Sequence, residues 1–344
     1  MFMAALGLLG SDTIVPLFVS KLTDDPLAIG LLGTAFHLGW LPQLFSAGYV
    51  ERSARKMPAV IRYAVLERLP SLGLAICALL AISPERGGVA APLLLGAVYV
   101  CRFAQSTASG LSVPPWMDVI ARVVPESSRG RYMGNWTTLG NALGIGTAAL
   151  AAPLLAWLAF PYGFAACFGL AFLIFITGMI PILFIQEPPG ASPRPPAPFI
   201  RHLGDLADIL RQDQAFRGYL AGLSLAACGG MATSFLTVYA VQRLGATDEL
   251  AAWYTIAWLS ASTLADAALG WLADRCGFSA VGRAIAIGGM LLAGLTLLAS
   301  NPFWMMLPFA LAGIGQSASM LARMTGPLQF APPDRRSEEH TSEL

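Results

Sequence analysis

Ten runs of mostly apolar residues dominate this chain, each close to the roughly twenty that a helix needs to cross a bilayer. They fall at 1–20, 26–50, 58–82, 90–113, 132–157, 162–186, 217–242, 249–271, 284–300 and 302–324. Hydrophobic residues make up 56% of the chain and charged residues 12%. A soluble domain carries about 25% charge, so no single soluble core hides this much apolar side chain. The pattern predicts an all-α, polytopic membrane protein. Pro and Gly inside the runs fit spanning helices, whose neighbours satisfy the freed backbone groups. Small-residue stretches such as GNALGIGTAALAA (140–152) let helices approach closely in lipid.

Basic residues are distributed unevenly between the two sets of loops. Loops after even-numbered segments, with the stretches that flank them, hold fifteen Lys or Arg, and the odd-numbered loops hold Lys21, Arg86 and Arg243. That bias places the N-terminus and the even loops in the cytoplasm, for a multi-pass protein of the inner (cytoplasmic) membrane of a bacterium. No basic lead and cleavage site open the chain, so residues 1–20 are read as a retained first helix. The five cysteines are scattered with no CxxC pair, which suggests neither a disulfide framework nor a metal site. No GxxxxGK[ST] occurs, so the chain carries no ATPase of its own. No cofactor is expected and no nucleic-acid partner; the partners expected are a small-molecule substrate, protons or another coupling ion, and membrane lipids.

The segment 187–217 differs from the rest. Its Pro-rich start reads as a linker, and apolar residues at 199, 203, 206, 209 and 210 read as a short amphipathic helix on the membrane face. The resulting division is a six-helix bundle (1–186), a cytoplasmic linker (187–216) and a partial bundle of four helices (217–335). The last nine residues, RSEEHTSEL (336–344), read as translated sequencing-adapter DNA and are set aside as an artefactual tail.

Two charged loops occupy matching places in the two halves. AGYVERSARK (47–56) and GWLADRCGFSAVGR (270–283) lie 223 residues apart, aligning Glu51 with Asp274, Arg52 with Arg275, Ala47 with Gly270 and Ala54 with Gly277. Secondary transporters are commonly built from such repeats. GWLADRCG fits the Gly-x-x-x-Asp-Arg-x-Gly loop signature of the major facilitator superfamily, with a later basic residue at Arg283. Arg102 and Gln105 in CRFAQSTASG give that family's Arg-x-x-Gln, with Ser106 where Gly is usual. PESSRGRYMG (125–134), holding Arg129 and Arg131, resembles its basic loop before helix five, and EPP (187–189) its exit from helix six. The Gly-Pro pair of the family's antiporters is absent from helix five.

The resemblance covers residues 1 to about 335. It implies a two-bundle fold with ten of twelve helices present, and transport of a small solute by alternating access, ion- or gradient-coupled. It also implies a latch at the cytoplasmic ends built from Glu51, Arg52, Arg55, Lys56, Arg129, Arg131, Gly270, Asp274, Arg275, Gly277 and Arg283. Asp274 would accept hydrogen bonds from a helix N-terminus of the other half, while Gly270 and Gly277 permit close approach and a tight turn. The plainer reading is that these charges fix topology and solvate a loop.

Charges inside spanning segments are costly, so each has a partner or a job. Asp12 lies in GSDTIVP, Glu67 and Arg68 in segment three, and Arg102 about 18 Å into segment four at ~1.5 Å per residue. Substrate or coupling candidates are Asp12, His37, Gln43, Glu67, Arg102, Gln105, Asn141 and Gln316. Arg102 and Asp12 either face a cavity or close a buried ion pair, with Glu67 as the alternative acid. Trp253, Tyr254 and Trp258 read as an interfacial aromatic belt. Two other functions compete with transport: a non-transporting sensor or scaffold of the same fold, and a membrane-embedded lipid-modifying enzyme. For the enzyme, only His37 and His202 lie outside the tail, and no HxxxxD or HExxH occurs.

Overall fold

A computed structural model describes residues 1–43, 55–81, 89–188, 214–230, 233–276 and 278–330. All regular structure among the described residues is helical. The first spanning segment is two helices, α1 (Phe2–Leu9) and α2 (Ile14–Ser20). Gly10 separates them in the left-handed region at φ 51°, its N–H bonded to the Leu6 carbonyl. A glycine meets that conformation without a Cβ penalty, so residues 10–13 form a turn in mid-span. Segment two is shorter than its apolar run: α3 covers Pro26–Leu38. Asp25 caps it by accepting from the Leu27 N–H at 2.9 Å, and Pro26 sits where its missing N–H costs nothing.

Four helices complete the first half: α4 (Met57–Leu80), α5 (Ala91–Val123), α6 (Glu126–Trp157) and α7 (Tyr162–Thr177), with a last turn, α8 (Ile180–Leu183). Helix α5 runs through Pro114 and Pro115 to Val123, ten residues past the end of its apolar run. Of the seventh segment α9 (Gln214–Gly230) and α10 (Thr233–Leu244) are described, with residues 231–232 between them outside the described residues. Then come α11 (Asp248–Cys276), α12 (Phe278–Leu298), a 3₁₀ turn (Pro302–Met305) and α13 (Met306–Phe330).

Six described segments are long and apolar enough to cross a membrane: Phe2–Ser20, Met57–Leu80, Asn135–Trp157, Tyr162–Leu183, Ala280–Leu298 and Pro302–Ala322. Of the other four expected spans, α3 is short, the α9–α10 segment is described only in two parts, and α5 and α11 carry polar residues turned into the bundle. Helix α5 illustrates this, burying Arg102, Gln105 and Ser106 beside Val98 and Ala108.

In the first half α4 packs on α5 and α7, α3 on α5, and α1 on α6 and α7; in the second, α13 packs on α9, α11 and α12. The first core centres on Phe18, whose ring lies 5.4 Å from that of Phe164 and 5.8 Å from that of Phe168. The second is anchored by Tyr254, fully buried and stacked on Phe309 at 4.6 Å, its hydroxyl donating to the Pro302 carbonyl at 2.8 Å. Tyr254 is therefore core; of the expected belt, only Trp253 is exposed.

The halves meet along α6 and α11, and again where α2 and α3 touch α10. Close crossings use glycine: a Cβ on Gly7 of α1 would strike the Gly144 carbonyl of α6, and one on Gly313 of α13 would strike the Trp258 carbonyl of α11.

Candidate functional site

The break between α1 and α2 places Ser11, Asp12 and Thr13 off the helix in mid-span, beside α5 and α11. Arg102 on α5 is 2% exposed, and its guanidinium lies 4.8 Å from the Phe36 ring centroid of α3. Its Nη1 donates to Gln105 Oε1 at 2.6 Å and to Ser11 Oγ at 3.4 Å. Its Nε is buried with no partner. Asp12 is half-buried and lies within electrostatic reach of Arg102 and His37, yet no ion pair within 4.0 Å joins it to either. His37 is exposed, and its Nδ1 meets the Gly33 carbonyl at 2.7 Å, so that nitrogen carries the proton.

Glu67 does not serve Arg102. One of its oxygens accepts from the Ser109 hydroxyl of α5, and the other from Arg68 Nη1 at 3.3 Å. Arg68 also donates to the Phe175 carbonyl of α7 at 3.1 Å and to the Ala64 carbonyl at 2.6 Å, lying near the Phe2 and Phe175 rings. This buried pair ties α4 to α5 and α7. Gln105 donates to the Ser71 hydroxyl of α4 at 3.5 Å. Of the remaining candidates, Asn141 is buried on α6 and Gln43 is half-buried beside Gly110. Gln316 is exposed on α13; its neighbour Ser317 faces inward and donates to Asp266.

The expected latch falls largely on what the structure leaves out. Glu51, Arg52 and Gly277 lie outside the described residues, as does the amphipathic stretch 199–210, and the side chains of Arg129, Arg131 and Asp274 are not described. Asp274 and Arg275 occupy the last turn of α11, not a loop. Arg275 lies over the Trp271 ring at 4.8 Å. Among the described residues nothing stands within 4 Å of where a Gly270 Cβ would be. Arg283 and Arg55 are exposed.

Lys56 belongs to a cluster that the sequence did not reveal. The Glu187 carboxylate, 4% exposed, accepts from the Lys56 N–H at 2.8 and 2.9 Å, from the Met57 N–H at 2.9 Å and from Arg122 Nη1 at 3.0 Å. Arg122 is shared with Asp118 at 2.8 Å, and Lys56 Nζ lies 3.8 Å from Asp118. A carboxylate from beyond α8 thus caps the N-terminus of α4, where backbone donors and the helix dipole favour negative charge. EPP stood out in the sequence, but nothing local pairs residues 131 positions apart.

Two further contacts join the halves, one at the opposite end and one in mid-span. Lys21 Nζ lies 2.7 Å from the Asp248 carboxylate, and the Thr13 and Thr255 hydroxyls meet at 2.5 Å in a buried site. Thr255 donates to the Ala251 carbonyl, so Thr13 is the donor between them.

Compared with known families, residues 1–338 match the Major Facilitator Superfamily. The chain belongs to that superfamily. None of the curated proteins compared with it matches. Solved structures share the fold at low identity. The nucleoside transporter NupG aligns with a TM-score of 0.67 at 14% identity, over 100% of this chain and 84% of that one. The peptide transporter POT in complex with sulfate aligns at 0.60 and 12%, over 99% and 84%. A partially occluded inward-open xylose transporter, XylE from E. coli, aligns at 0.55 and 16%, over 93% and 82%. The superfamily fold, with its apolar helices, makes this chain a multi-pass membrane protein and a solute transporter.

Proposed function

We propose that this transporter moves a small solute by alternating access between its two halves, coupled to a proton or another ion gradient. The observation that carries the proposal is the pair of cross-half contacts, Thr13–Thr255 in mid-span beside Asp12 and Lys21–Asp248 at one end of the same segment. A half-buried carboxylate beside an unpaired guanidinium is an expensive arrangement in a membrane and fits a solute or coupling site. In this reading the Lys21 end faces outward and is closed, and the N-terminus and the Glu187 end face the cytoplasm, as the basic-residue bias requires. The units that move are residues 1–186 and 217–335, joined by the 187–216 linker. The second latch is the cytoplasmic one, with Glu51, Arg52 and Asp274 at its centre. Asp12, Arg102, Gln105 and His37 line the solute site, and Glu67 holds the scaffold behind it. No bond-making chemistry is assigned to the chain.

The test uses a cysteine-free background carrying Lys21→Cys and Asp248→Cys. Proteoliposomes are loaded with a mixed metabolite extract, and solute exchange is read by mass spectrometry. Crosslinking the pair is expected to stop exchange and reduction to restore it. Exchange that continues through the crosslink would overturn the proposal.

A further inference from the structure

We infer that the solute is a small zwitterion, its anionic group seated on Arg102 and its cationic group on Asp12. The inference rests on the mid-span cluster being the solute site. Of the three guanidinium nitrogens of Arg102, only Nη1 is hydrogen-bonded, to Gln105 and Ser11. The opposite edge, formed by Nε and Nη2, takes no protein partner, and Nε is buried with none. That edge is a planar fork whose two parallel N–H groups match a carboxylate. Among the described residues the other buried side-chain atoms without a partner, Thr107 Oγ1, Thr237 Oγ1 and Trp258 Nε1, are all uncharged, so Arg102 alone leaves a charged group in this state.

Asp12 is the obvious protein partner for that edge, and it is not used. Asp12 follows Ser11, which Arg102 contacts, yet no ion pair within 4.0 Å joins the two charges among the described residues. Opposite charges this close in a low dielectric collapse together unless the scaffold holds both. Here it does. Gln105, Ser11 and the Phe36 ring hold Arg102, while Asp12 sits on the non-helical turn set by Gly10, next to Thr13, which is itself bonded to Thr255. The other charges nearby do not change the balance. Glu67 and Arg68 neutralise each other, and His37 faces Asp12 with Nδ1–H committed to Gly33.

A separated plus and minus, neither closed by an ion pair among the described residues, selects a ligand carrying both signs. A monoanion would satisfy Arg102 but meet repulsion from Asp12. A monocation would do the reverse. A neutral polyol would leave both charges without a counter-charge. A compact zwitterion, such as an α-amino acid or a quaternary ammonium carboxylate, neutralises both at once.

Two readouts on the full chain test this. In the extract-exchange assay, the exchanged species are expected to be zwitterions. In thermal-shift titrations, the probes are the free α-amino acids and trimethylglycine, with N-acetyl amino acids as matched anions and amino-acid methyl esters as matched cations. The best free zwitterion is expected to stabilise the protein, and masking either charge is expected to weaken its binding at least tenfold. Asp12→Asn should erase the preference over the N-acetyl form while leaving the anion contact. If Arg102→Gln does not fold, the masked-ligand series on the unaltered protein still decides. Equal binding of a masked form, or no stabilisation by any zwitterion, overturns the inference. Crosslink-sensitive exchange of sugars or monoanions would overturn it too, and would leave the alternating-access proposal standing.

Discussion

Replacing Glu187 tests whether a carboxylate from the end of the first half holds the start of α4. Its two oxygens accept from the Lys56 and Met57 backbone N–H groups and from Arg122, all at 2.8–3.0 Å. No side-chain cap at position 56 could take over. Hydrogen bonds to a charged group are worth about 1.5–3 kcal/mol each, and removing one member of a buried pair costs about 3–5 kcal/mol. Arg122 keeps Asp118 and is 21% exposed, which lowers its share. Glu187→Ala should therefore cost about 3 kcal/mol. Glu187→Gln, which retains an acceptor oxygen but loses the charge, should cost about 1–2 kcal/mol by the same reasoning. Denaturant titration of the purified protein gives the totals, and hydrogen exchange gives the place. The amides of Lys56 and Met57 should lose protection in both variants, before those in the middle of α4. A Glu187→Ala protein within about 0.5 kcal/mol of the parent, with those amides still protected, would refute the reasoning, since ordinary surface changes fall in that range.

Other outcomes follow from single contacts. Thr255→Val keeps the volume but strands the Thr13 hydroxyl in the closed state, costing that state about 1–3 kcal/mol. Accessibility of outer-end cysteines to an impermeant thiol reagent should rise about fivefold or more, and no change would contradict the gate. Gly313→Ala drives a methyl into the Trp258 carbonyl, so it should destabilise the second half by about 1–3 kcal/mol, where overpacking usually falls; unaltered thermal unfolding would contradict the contact. Asp274→Asn should change the exchange rate and the inward-to-outward balance while expression persists, and unchanged kinetics would leave Asp274 as a topology charge only.

The spans were legible because crossing a bilayer demands about twenty apolar residues whatever the fold. The half-repeat is a reading of the sequence alone, since Glu51 and Arg52 lie outside the described residues. Interruptions were harder to see. The break at Gly10 turns on one backbone dihedral, and glycine is just as common in continuous helices such as α6. The double proline at 114–115 reads as a stop in water, yet α5 passes through it because packed neighbours can satisfy the freed groups. Facing was also hard to read. Gln316 was the candidate, but its neighbour Ser317, about 100° around the helix, is the residue that meets Asp266. Tyr254 looked interfacial because it neighbours Trp253, but its hydroxyl finds the Pro302 carbonyl and the whole side chain is buried. Contacts between distant segments, Glu187 with Lys56 and Lys21 with Asp248, leave no local trace at all.

The central claim is that the Lys21 end opens and closes. In a cysteine-free protein in lipid, spin labels at Asp24→Cys and Thr247→Cys, both at exposed positions flanking the Lys21–Asp248 pair, report the gap by pulsed electron double resonance. The account predicts two distances: a short one for the closed end seen here, and a longer one whose population changes with solute or pH. A single short distance that neither solute nor pH shifts would contradict it.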